Sequence, residues 1–251
     1  MSTTTDATRP APGSTVTATP TTSTPTTSTP STTGTRAWAW TGVAAGIAGT
    51  VGIGASMQID AVYAASSAQD VVDRLSDQVP AILVFHTATM LAVVLLLVFA
   101  AGLRRRLADQ LPSRSLLPDV AAAGLGLVAV AGLLGSGLTT EFVFAVVEPE
   151  ARLVPEAAVV FGHWVGTIPW LWVGAGLAGV CVAVAALRHG AAARWLGWVG
   201  AVLGGLTLVL GVSPLQYMAG MTGPIWLVVT ALGLALGDRV TRTHAESPIR
   251  A

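Results

Sequence analysis

Beyond residue 36 the chain alternates between long apolar runs and short polar links. The runs cover about 37–59, 80–103, 118–140, 157–187, 195–213 and 220–237. A hydrocarbon core of about 30 Å is crossed by about 20 helical residues. Five of the runs reach or approach that length. The sixth is shorter and carries Pro224 near its start, a place a helix tolerates. In hydrocarbon every backbone N–H and C=O must be paired within its own segment, which open strands do not achieve. The pattern therefore predicts an all-α fold, a polytopic transmembrane helical bundle of six spans over residues 37–237.

Residues 2–35 break the pattern. They are Thr, Ser and Pro with little else, and "TTSTP" repeats in tandem at 21–25 and 26–30. Such a segment has no apolar face to offset chain entropy, so 1–36 is expected to be a disordered tail. Outside a cell this composition also suits an O-glycosylated stalk. Residues 238–251 form a second short tail.

Composition sharpens the membrane reading. The chain is 53% hydrophobic and 10% charged, with mean hydropathy +0.69, whereas a soluble domain carries about 25% charged residues. All 13 cations are Arg, and 13 acids balance them. A neutral chain offers no broad basic surface, so no nucleic-acid partner is expected. The one cysteine, Cys181, excludes an intramolecular disulfide.

The charges are sorted along the chain. With six crossings, Arg9, Arg36, Arg104, Arg105, Arg106, Arg114, Arg188, Arg194, Arg239, Arg242 and Arg250 share one side, leaving only Arg74 and Arg152 on the other. That second side holds Asp60, Asp70, Asp73, Asp77, Glu141, Glu148, Glu150 and Glu156. Arg-rich links stay in the cytoplasm. Both termini are thus expected inside a cell (plasma) membrane, with the acidic links 60–79 and 141–157 outside. Trp38, Trp40, Trp195 and Trp198 fall at the inner ends of runs one and five, as an interfacial belt requires. A cleaved signal peptide would have a shorter leader and a shorter apolar core than run one.

Glycine recurs at i,i+4 in Gly42/Gly46, Gly162/Gly166, Gly200/Gly204 and Gly233/Gly237. Each pair shares a helix face and lets backbones approach closely. The partners expected are the lipid bilayer, neighbouring helices, and a second copy of the chain through one such face.

Polar groups at membrane depth mark candidate sites. At about 1.5 Å per residue, Asp60, His86, Glu141 and His163 all fall at, or within about 7 Å of, the outer boundary. Two imidazoles and two carboxylates are a plausible divalent-metal set or a proton relay. They are equally what a polar boundary carries, and depth alone does not fix which way they face. Thr139–Thr140–Glu141 runs into "FVFAVV", so helix three is expected to continue to about Val147. Pro169 should kink helix four. The uncharged link 213–224 reads as a turn with an interfacial Tyr217. Arg104–Arg106 reads as a stop signal, with anionic lipid headgroups as its alternative ligand. Phosphate loops, nucleophile elbows and paired-ligand motifs do not occur, so no catalytic residue and no cofactor is assigned.

The block "PWLWVGAGLAGVCVAVAALRHGAAARWLGWVGAVLGG" with "GPIWLVVTALGLAL" resembles the C-terminal half of small six-helix bacterial integral membrane proteins of unknown function, frequent in actinobacteria. The resemblance spans about 37–237. It implies six helices and no particular chemistry. Three classes of function remain: a non-enzymatic structural or accessory protein, which the lack of mid-bilayer ionisable residues favours; a small transporter or channel-like protein with an outer vestibule; and a metal or haem protein using His86 and His163.

Overall fold

A computed structural model describes residues 36–148 and 153–236. Residues 1–35 of the Thr/Ser/Pro-rich tail, the C-terminal tail 238–251, Gly237, Glu150 and Arg152 lie outside the described residues. Six stretches are long and apolar enough to cross a membrane, and no strand occurs among the described residues. The first is α1 (Ala37–Ser56) with the short α2 (Ala61–Ala64). A linking helix, α3 (Ala68–Asp77), leads into the second, α4 (Val79–Ala108). The third is α5 (Leu117–Gly137) prolonged by α6 (Thr139–Val147), so the expected extension to Val147 is present. The fourth comprises α7 (Pro155–Thr167), a 3-10 turn (Ile168–Trp170) and α8 (Val173–His189). The fifth joins α9 (Arg194–Val199) to α10 (Gly205–Val212) through a π turn (Gly200–Gly204). A 3-10 turn (Gln216–Met218) opens the sixth, α11 (Ala219–Leu236).

The distribution of side chains is that of an integral membrane protein. Large aliphatics point outward: Leu91 is 52% exposed, Leu134 58% and Val209 64%. Water would penalise such a surface, and lipid tails do not. The interior is built instead from Ala and Gly with a few aromatic wedges. Between lipid-embedded helices, close contact rather than water exclusion drives packing.

Glycine sets the closest crossings. A Cβ at Gly124 of α5 would strike the Gly174 carbonyl of α8, and one at Gly174 would strike the Gly124 carbonyl. On its other side α8 meets the fifth span: a Cβ at Gly179 would lie 2.6 Å from the Gly204 Cα. The expected pairs also face neighbours. Gly42 meets Phe99 and Ala231, Gly46 meets Val228, Gly162 meets Val62, and Gly166 meets the Tyr63 hydroxyl. Gly200 meets the Gly179 carbonyl, and Gly233 meets Trp195 and Leu196. The chain itself therefore covers these seven positions.

Run six becomes α11 one residue earlier than its apolar pattern indicates, and Pro224 is the sixth residue of that helix, near its start as expected. Trp38 leaves the interfacial belt: its ring packs on Phe99 at 5.7 Å, while Trp40, Trp195 and Trp198 stay exposed. The acidic link 60–79 is helical and packed rather than open. Ser67 caps α3 by accepting the Asp70 N–H at 3.2 Å, and the Asp70 carboxylate accepts from the Ser66 N–H at 2.8 Å. Val71 and Leu75 are then buried with Ile82, Phe85, Phe142 and Phe161 in a second apolar core at the acidic end of the bundle. At the arginine-rich end, Arg104 of α4 pairs with Asp119 of α5 at 2.6 Å.

Candidate functional site

Pro169 has no N–H to donate, and the fourth span breaks outright where a kink was expected. The turn pairs its backbone locally: the Leu171 N–H donates to the Ile168 carbonyl at 3.1 Å and the Trp172 N–H to the Trp170 carbonyl at 2.9 Å. The Trp172 indole N–H closes the break by donating to the Pro169 carbonyl at 3.0 Å. Trp172 is only 5% exposed. Its ring fits where α1 and α11 have no side chains: a Cβ at Gly49 would lie 2.7 Å from the indole, and one at Gly223 2.6 Å from Trp172 Cβ.

The two tryptophans flanking the break border different spaces. Trp172 borders a void of about 40 Å³ within the bundle, which also touches Gly49, Thr89, Val93 and Gly132. At about 10–15 Å³ for each water that volume admits only a few small molecules. Trp170 borders a cleft of about 250 Å³ at the acidic end, with Met57, Asp60, Tyr63 and Tyr217. Gly166 forms its backbone wall, where a Cβ would lie 2.8 Å from the Tyr63 hydroxyl. The Thr167 and Tyr217 hydroxyls approach to 3.4 Å.

The four sequence candidates separate. Asp60 is exposed in the cleft, where its carboxylate accepts from Gln78 Nε2 at 2.6 Å. Gln78 in turn accepts the Ala61 N–H at 3.3 Å, fixing the start of α2. No described cation pairs with Asp60. His163 is exposed and stands edge-on to the Tyr63 ring at 5.7 Å. Asp60 and His163 thus meet around Tyr63. Glu141 is exposed on α6 and makes no described ion pair. His86 is half-buried on α4, with Nδ1 enclosed and unpaired. Among the described residues no group of three or more His, Cys, Asp or Glu side chains is placed to hold a metal ion. The expected ligand set of His86, His163, Glu141 and Asp60 therefore does not assemble.

Other polar atoms share the condition of His86 Nδ1, and the sequence did not single them out. Ser136 Oγ, Thr139 Oγ1 and Trp164 Nε1 are also enclosed without a hydrogen-bond partner, and Ser136 and Thr139 are 1% and 0% exposed. The signal available for these two was a Ser and a Thr three apart in an otherwise apolar span.

Electrostatics at this end are acidic. The Ser66 backbone N–H, ahead of an opposing effect of burial and reinforced by Arg74, holds the Asp70 carboxyl below its ordinary value of 3.8. Arg74 is engaged there, 3.0 Å from Asp70, and no described cation pairs with Asp60. In comparisons with known proteins, no family model, no curated protein and no solved structure matches this chain.

Proposed function

We propose that the chain is a small-solute carrier of a cell membrane, with both termini cytoplasmic and the acidic cleft open to the outside. One observation carries this reading: a single broken helix lies between a cleft at the acidic end and a small void among the helices, with Trp170 on one and Trp172 on the other. A purely structural bundle has no need to interrupt its fourth span, whereas interrupted helices are how carriers build sites and gates. The charge asymmetry supports the orientation, since all the arginines of links 104–114 and 188–194 fall at the end away from the cleft.

Thiol labelling tests it. In a Cys181→Ala background, Met57→Cys places an exposed thiol at the cleft and Thr89→Cys a buried one at the void. A membrane-impermeant, water-soluble reagent added to intact cells should label the first at once and the second slowly, as the break opens. A Thr89→Cys thiol inert over hours, while Met57→Cys reacts, would refute carriage. A reporter fused after Ala251 should read cytoplasmic; an external signal would overturn the orientation.

A further inference from the structure

We infer that the cleft takes an alkylated ammonium cation. This deepens the carrier reading and rests on the cleft being a ligand site. The lining decides the class. Asp60 gives it one full negative charge that no described cation neutralises. Tyr63, Trp170 and Tyr217 give it three aromatic rings. Among the described residues no basic side chain lines it, so anions gain nothing from them there. Ring faces attract cations through their quadrupoles, and aromatic groups with a nearby carboxylate are the recurring answer to quaternary ammonium groups.

The balance of the lining narrows the class further. Aromatic residues outnumber carboxylates three to one, and the one carboxylate also accepts from Gln78. A primary ammonium brings three donors and is held best by a ring of acceptors. A fully methylated nitrogen brings none and asks only for charge and ring faces. The thioether side chain of Met57, also in the lining, adds a polarizable apolar contact. The volume of about 250 Å³ lies just under the usual range for drug-sized ligands, about 300–1,000 Å³, so the cation is small. The access route fits as well: Tyr63 is 67% and Tyr217 45% exposed, at the mouth of the cleft.

Two sources offer this chemistry, a free solute and a phosphatidylcholine headgroup. The full chain is placed in nanodiscs of phosphatidylglycerol alone and in discs containing phosphatidylcholine as well. Choline and its neutral isostere 3,3-dimethylbutan-1-ol are titrated by calorimetry. Choline should bind in the first discs at least tenfold more tightly than the alcohol. Unchanged choline binding in the mixed discs identifies a free solute, and suppressed binding identifies the headgroup; both support the class. Asp60→Asn keeps an acceptor for Gln78 and should weaken choline at least tenfold. Tyr217→Leu, which keeps apolar bulk, serves as the independent variant and should weaken it severalfold. Equal binding of alcohol and choline, choline binding unaffected by Asp60→Asn, or no choline binding in either disc would overturn the inference. Labelling of Thr89→Cys that persists without choline binding would discard this ligand class alone. Choline binding beside an inert Thr89→Cys would leave a receptor-like cleft and discard carriage alone.

Discussion

Removing the Trp172 indole tests how the broken span is held. In a bilayer the unfolded reference state is itself in lipid, so the loss is one of packing and hydrogen bonding rather than transfer to water. Trp172→Ala opens a gap on the order of 100 Å³, which at about 24 cal/mol per Å³ costs about 2.4 kcal/mol. The indole hydrogen bond to the Pro169 carbonyl, 3.0 Å long and buried, adds about 1 kcal/mol. The expected loss is therefore about 3–4 kcal/mol. Trp172→Phe keeps most of the ring and should lose about 1–2 kcal/mol. Reversible unfolding in bicelles by steric trapping reads both. The contact with Gly49 supplies a coupled check. A Cβ there would lie 2.7 Å from the indole, so Gly49→Ala should destabilise the parent chain by about 1–3 kcal/mol through overpacking. In the Trp172→Ala background the same change should be neutral or better. Equal Gly49→Ala effects in both backgrounds, or Trp172→Ala within about 0.5 kcal/mol of the parent, would refute the account of Trp172 as the wedge that closes the break.

The remaining predictions concern other parts of the bundle. Gly124→Val should abolish folding, because the Gly174 carbonyl occupies that space, while Gly205→Ala, with nothing within 4 Å, should be tolerated; trypsin resistance of purified protein separates them. Thr139→Val should change stability by less than about 0.5 kcal/mol, because an unpartnered buried hydroxyl contributes nothing when removed; a loss above about 1 kcal/mol in the same unfolding assay would show that it is bonded. The Asp70 carboxyl is held below its ordinary value of 3.8, so its support of α3 is complete above that value and fades as pH falls through the folded-state value. Hydrogen exchange at the first α3 amides should therefore be protected at pH 6 and lose protection toward pH 3 relative to the pH-corrected intrinsic rate, and Asp70→Asn should remove the pH dependence.

The sequence made the spans legible because hydrocarbon imposes a length and a pairing rule on any segment that crosses it. Counting along helices estimates height and leaves rotation open. Asp60 lines the cleft with Tyr63, and His163 stands edge-on to the same ring, while no three of the four candidates gather as a metal set. Rotation depends on which neighbour fills which gap, and a run of Ala, Gly, Val and Leu carries almost no directional signal. The glycines were recognised as contact points, but not that Gly49 and Gly223 are bare because Trp172 fills the space beside them. The acidic link hid a helix because its charges drew the reading. Val71 and Leu75, four apart with Ser67 and Asp70 ahead of them, form an amphipathic pattern with a cap of its own.

The position of α8 has a mechanical consequence. It is gripped on two sides by backbone-to-backbone contact, at Gly124/Gly174 and at Gly179/Gly204. Sliding or turning it would drive carbonyl oxygens into neighbouring main chain, so α8 acts as a stator. Across the Pro169 break, α7 meets its neighbours through side chains such as Phe161 and Val165, which re-pack at far smaller cost. In the carrier proposed above, the working stroke therefore belongs to α7, swinging as a lever against a fixed α8 beside Tyr63 and the Asp60 cleft.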